Sequence, residues 1–173
     1  IYIMANVLFL VGSLREGAFS AELAKSAEKA LEGKATVSYL DWKDVPVFSQ
    51  DLEADAPAAV KAARAAVLAA DAIWIFSPVY NAGIPGSVRN LLDWLSRALD
   101  LSDTTGVSAI NEKVVTVSIS SFAHQDEAAV EYRKLLPFIR TSLVDEFTLA
   151  TIGAPLDEAQ LAKQADVLLA AIN

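Results

Sequence analysis

Two short stretches of this 173-residue chain hold side chains suited to gripping an anion and a flat polar ring. The first is Gly12-Ser13-Leu14-Arg15-Glu16-Gly17-Ala18-Phe19-Ser20. Its hydroxyls at Ser13 and Ser20, the Arg15 guanidinium and the free N–H groups opening the next helix would converge on a phosphate. The Gly12 to Gly17 spacing imitates a triphosphate-binding loop, but Ala18-Phe19 stands where Lys-Ser/Thr is required. A dinucleotide fingerprint needs G-x-G-x-x-G, of which only the outer glycines are present. No acidic pair closes the preceding strand, as a magnesium-binding receiver would need. The same turn would also serve as an ordinary glycine-bearing connection with Arg15 in solvent. The second stretch runs from Ser77 to Gly86, with prolines at 78 and 85 and glycines at 83 and 86. Such a loop turns its backbone N–H and C=O groups outward, which suits the polar edge of a flat heterocycle. It also reads as a plain turn in which Pro85 opens a helix and Tyr80 is a half-buried loop aromatic.

Composition narrows the chemistry. A net charge of -8 disfavours nucleic acid and anionic membrane as partners, since both are held mainly through Lys and Arg. With no cysteine and one histidine there is no thiolate nucleophile and little basis for a zinc site or a Ser-His-Asp triad. No metal site and no catalytic side chain are assigned. His124 reads as a solvated loop histidine rather than a proton donor. The absence of cysteine, of a basic leader and of an apolar run of about 20 residues points to a cytoplasmic protein. Ile1 to Ile3 read as a vector remnant ahead of Met4, and the length suits one domain over residues 1–173.

The elements that must position the two loops follow from periodicity. Residues 7–11, 36–40, 72–77, 114–120 and 144–149 read as strands, and the first and third are apolar at nearly every position, as strands covered on both faces are. Helices are predicted over 20–31, 56–69, 85–99, 125–136 and 158–172, the fourth ending near Leu136 because Pro137 follows. The alternation predicts an α/β fold: a flavodoxin-like, doubly wound, five-stranded parallel sheet in the order 2-1-3-4-5, with helices on both faces. Ligands of such sheets sit where the winding reverses, between strands one and three, and both loops lie there. The polar stretch 100–111 reads as either a flap or a spacer. On the third helix Val88, Leu91, Leu92, Leu95 and Leu99 form one stripe, opposite Asn90, Asp93, Trp94 and Arg97. Asp93 and Arg97 are spaced as an i,i+4 pair, and an outward Trp94 predicts a subunit interface on that face.

The runs GSLREGAFS, DVPVFSQDLE and SPVYNAGIPGSVRNLLDWLSR resemble the NADPH-dependent FMN reductase family, flavodoxin-like enzymes that include chromate, quinone and azo-dye reductases. The resemblance implies that Ser13, Arg15 and Ser20 hold the FMN phosphate. It implies that Pro78, Val79, Tyr80 and Asn81 meet phosphate and isoalloxazine, and that Ser120, Ser121 and Phe122 reach the flavin edge. It further implies NAD(P)H as hydride donor, a small-molecule flavin, quinone, azo or oxyanion acceptor served by a ping-pong route, and a homodimer or tetramer. The chain departs from the family pattern at Ala18 and Ser20, at Val79 where an acidic residue is usual, and in a third loop without its glycine pair. Those departures predict weaker contact with FMN. The alternative reading is a non-enzymatic FMN-binding electron carrier or flavin-sensing module.

Overall fold

The longest apolar runs form the middle of a parallel sheet. In the computed structural model, which describes residues 3–172, β1 (Asn6–Val11) pairs with β3 (Ala72–Ser77) from Val7↔Ala72 to Val11↔Phe76. β3 in turn pairs with β4 (Val114–Ser121) from Ala72↔Val114 to Ser77↔Ile119. β2 (Thr36–Tyr39) lies outside β1, and β5 (Ser142–Leu143) outside β4, giving the order β2-β1-β3-β4-β5. Successive residues of each strand feed opposite cores. Val7, Phe9, Trp74 and Phe76 pack against α1 (Phe19–Leu31) and α5 (Glu158–Ala171). Leu8, Leu10, Ile73 and Ile75 pack against α2 (Ala58–Ala69), α3 (Gly86–Leu95) and α4 (Gln125–Phe138). No helix among the described residues is long and apolar enough to cross a membrane. Ile1 and Tyr2, read above as part of a vector remnant, lie outside the described residues.

Five expectations are corrected. The fifth strand is two pieces: β5 pairs low on β4, and β6 (Thr148–Thr151) pairs high on it, from Ser118↔Thr148 to Ser121↔Thr151. Between them Asp145 and Glu146 leave the ladder and pair with Arg133 (2.8 Å) and Lys163 (3.1 Å), because a charged residue cannot lie in a strand covered on both faces. α4 continues to Phe138 and keeps Pro137 in its last turn.

α3 stops at Leu95 rather than residue 99, and Leu99 is exposed. Its N–H joins Val107 O (3.0 Å), and Arg140 ties down Thr105 O and Gly106 O, so 100–111 is a folded spacer.

Trp94 is not the outward residue that predicted a subunit interface: it is fully buried inside the chain. Residues 45–60 cross that face of α3. Trp94 Nε1 donates to Pro46 O (2.8 Å), and its ring meets Phe48 edge-on at 4.8 Å, with Ala56 and Val60 closing the cluster. Asn90 accepts from Phe48 N–H and donates to Pro46 O. Asp93 pairs with Arg89 instead of Arg97, whose guanidinium takes both oxygens of Glu53.

Candidate functional site

Although β1 and β3 are neighbours, α1 and α3 pack on opposite faces of the sheet, so a crevice opens beyond the carboxyl ends of these strands. Gly12 lets the two strand ends close on each other at its base. Its N–H donates to Phe76 O (2.7 Å), and a Cβ there would meet Phe76 O and the Val88 side chain at 3.0 Å each.

Three loops wall the crevice into a cleft of about 180 Å³. The β1–α1 loop supplies Ser13, Arg15 and Ser20; the β3–α3 loop supplies Pro78, Val79 and Tyr80; the end of β4 supplies Ser120, Ser121 and Phe122. Of the ten residues named from sequence only Asn81 stays off the wall, exposed at the tip of its turn. Ala18, Phe19 and Ile152 also line the cleft and were missed. Phe19 sits inside the quoted loop, where a signal existed. Ile152 offered none, because it reaches the cleft only through the split of the last strand, its N–H donating to Ser121 O (2.9 Å).

In the first loop Gly17 takes the left-handed conformation (φ +66) that lets the chain enter α1. Ala18 O accepts from Ala21 N–H (3.0 Å) and Glu22 N–H (3.2 Å), but Ala18 has no side-chain acceptor to cap the N–H groups of Phe19 and Ser20 ahead of them. Ser20 Oγ is buried without a hydrogen-bond partner among the described residues. Arg15 is exposed at the mouth. It donates to Glu16 O (3.2 Å) and lies 5.8 Å from the centroid of the Phe19 ring.

The second loop is anchored from below. The buried Tyr132 hydroxyl donates to Ser77 Oγ (2.7 Å), which donates to Pro78 O (2.7 Å); burial pushes the Tyr132 phenol well above its ordinary pKa and keeps it a donor. In the third loop Ser120 Oγ is again buried and unpartnered among the described residues. Gln125 at the start of α4 donates to Ser121 O (2.9 Å) and Ala150 O (3.0 Å), holding a loop that lacks the glycine pair. Phe19 and Phe122 meet edge-on across the rim at 6.2 Å. His124 is off the wall. It takes the left-handed N-cap position of α4, and its Nδ1 lies 3.0 Å from Glu127, whose carboxyl it holds below the usual range.

Arg15 is the one charged side chain on the cleft wall. In a chain of net charge -8, a cleft with a guanidinium, uncapped helix N–H groups, spare hydroxyls and no carboxylate selects an anion. It holds no acid–base pair, so its chemistry comes from what it binds.

The family model of NADPH-dependent FMN reductases matches residues 5–154. The chain belongs to this family. A quinone reductase of Escherichia coli K12 is 30% identical over 146 residues, 82% of this chain and 74% of that protein. A 2-hydroxy-1,4-benzoquinone reductase of a Burkholderia species is 33% identical over 92 residues, 53% of this chain; the match spans half of that protein's length. Among solved structures, the flavoenzyme NAD(P)H:(acceptor) oxidoreductase of Paracoccus denitrificans superposes with a TM-score of 0.80 at 25% identity, covering 98% of this chain and 97% of that one. As an NADPH-dependent FMN reductase family member the protein is an oxidoreductase that uses FMN and a nicotinamide donor. The cleft fits FMN on its own terms. The buried Ser20 hydroxyl and the uncapped N–H groups of Phe19 and Ser20 lack acceptors that a phosphate monoester would bring, and the Ser120 hydroxyl on the opposite wall lacks a partner that the polar edge of a flavin ring would bring.

Proposed function

We propose that this cleft seats FMN and that the protein reduces quinone-type acceptors with NAD(P)H. The orphaned hydroxyls of Ser20 and Ser120 carry the reading: buried polar groups are normally paired, and these two lie in the first and third walls of one cleft. Ser13, Arg15, Ser20 and the first-turn N–H groups of α1 would hold the phosphate. Pro78, Val79 and Tyr80 on one side, and Ser120, Ser121 and Phe122 on the other, would border the ring, with Asn81 off the wall at the tip of its turn. FMN, when bound, supplies the hydride and electron transfer for which the chain has no side chain of its own.

The protein's share is positioning. A single cleft serves donor and acceptor in turn, which favours a ping-pong order. The half-exposed rings of Phe19 and Tyr80 and the exposed Phe122 give the rim apolar, aromatic surface. Such a rim suits a flat ring better than a small oxyanion, and the relatives named quinone reductases support that choice.

The test is the absorption spectrum of FMN-loaded protein without oxygen, before and after adding NADPH, then with a benzoquinone. Bleaching within seconds, recovery on adding quinone, and parallel double-reciprocal lines are expected. Flavin that stays oxidised for many minutes under excess NADPH and NADH would return the protein to the electron-carrier reading. A protein that ignores added FMN would overturn both.

A further inference from the structure

We infer that Glu131, on α4 and outside the cleft, is a positioning residue that locks the Tyr80–Gly83 turn and thereby fixes the wall formed by Pro78, Val79 and Tyr80; this rests on the cleft being the flavin site. The turn needs an outside hold. Tyr80 N–H donates to Gly83 O (3.2 Å) and Gly83 N–H to Tyr80 O (3.0 Å), so only Asn81 and Ala82 form the tip. Both are left-handed, at φ 52 and φ 59. Asparagine tolerates that region, and two-residue turns of this kind favour glycine at the second position. Ala82 has a Cβ that crowds the following carbonyl there. The tip is therefore strained where Tyr80 must stay on the cleft wall.

The hold comes from 47 residues away. Glu131 Oε2 accepts from Ile84 N–H at 2.9 Å. A Cβ on Gly83 would stand 2.7 Å from each carboxylate oxygen, so the missing side chain of Gly83 is the seat of that carboxylate. Gly83 has no positive φ, and its own backbone would accept alanine. The neighbouring Tyr132 anchors the other end of the same loop through Ser77 Oγ and Pro78 O. Consecutive residues of α4 thus grip both ends of the loop, and the strained tip lies between the grips. Glu131 is exposed, so removing its carboxylate spares the core.

The arrangement predicts a specific coupling. Gly83→Ala should mimic Glu131→Ala, because the new methyl takes the carboxylate's place and frees Ile84 N–H. Once Glu131 is gone, the methyl has nothing to displace. The experiment measures FMN affinity by quenching of flavin fluorescence, and amide hydrogen exchange at Ile84 in the flavin-free protein, for Glu131→Ala, Gly83→Ala, the double variant and Glu131→Gln.

Each alanine variant should weaken FMN about tenfold and speed Ile84 exchange by a similar factor, as loss of one hydrogen bond to a charged acceptor allows. The double variant should be no worse than Glu131→Ala alone. Glu131→Gln keeps an acceptor oxygen and should stay within about threefold of wild type. Losses that multiply in the double variant overturn the inference. So does Glu131→Ala with unchanged exchange, or with faster exchange and unchanged FMN affinity. A wild-type protein that takes up no FMN removes the cofactor reading and, with it, the cleft wall's role; the exchange rates then still decide whether Glu131 locks the turn.

Discussion

Arg15→Ala should separate FMN from riboflavin. The guanidinium sits at the mouth of the cleft, and its recorded ties are Glu16 O at 3.2 Å and the Phe19 ring at 5.8 Å, so truncating it leaves the loop standing. Its proposed partner is the phosphate, which riboflavin lacks. A hydrogen bond to a charged group is worth about 1.5–3 kcal/mol. Arg15 is exposed, and water and salt weaken a pair at such a site, which places the loss at the low end, about 1.5 kcal/mol, or roughly tenfold in affinity. Fluorescence titration of flavin-free protein at low salt should show that loss for FMN and less than about twofold for riboflavin; repeating it near 0.5 M salt should shrink the FMN effect several-fold. Arg15→Lys should recover part of it, as a point charge without the planar fork. Equal losses for both ligands, or an FMN effect indifferent to salt, would refute the phosphate assignment.

Two further variants test the orphaned hydroxyls and the corrected interface. Ser120→Ala removes a buried oxygen with no partner, so the flavin-free protein should keep or gain stability, by up to about 1 kcal/mol, while FMN binds several-fold more weakly; a lowered thermal midpoint would show that the hydroxyl is already bonded. Trp94→Ala opens a cavity beneath residues 45–60 and should cost about 3–5 kcal/mol in denaturant unfolding while leaving the mass by light scattering at the wild-type value. A changed mass at unchanged stability would put Trp94 back in a subunit contact.

The central strands and the cleft loops were legible because their signals are local. Apolar runs such as Ala72–Ser77 admit one reading once covered on both faces, and the two loops are placed by topology alone. The misreadings concern residues whose surroundings come from far along the chain. A helical wheel assigns Trp94 to the wet side only if nothing crosses α3, and the segment that crosses it has no periodicity to announce what it covers. The charges at 145 and 146 were visible, but an apolar frame of Val144, Phe147 and Leu149 masked the break they cause. Gln125, Glu131 and Tyr132 touch cleft loops through contacts that no motif encodes, since their types and spacing are ordinary for an amphipathic helix.

The divided last strand also bears on self-association. A sheet invites another chain to add on wherever a long edge offers unpaired N–H and C=O groups. Here the strands of six and eight residues are the inner ones, whereas β2 offers four residues on one side and β5 and β6 offer two and four on the other. Asp145 and Glu146, paired with Arg133 and Lys163, stand in the gap between the last two. The break that carries Ile152 into the cleft thereby shortens the template for unwanted strand addition and sets two ion pairs at its centre.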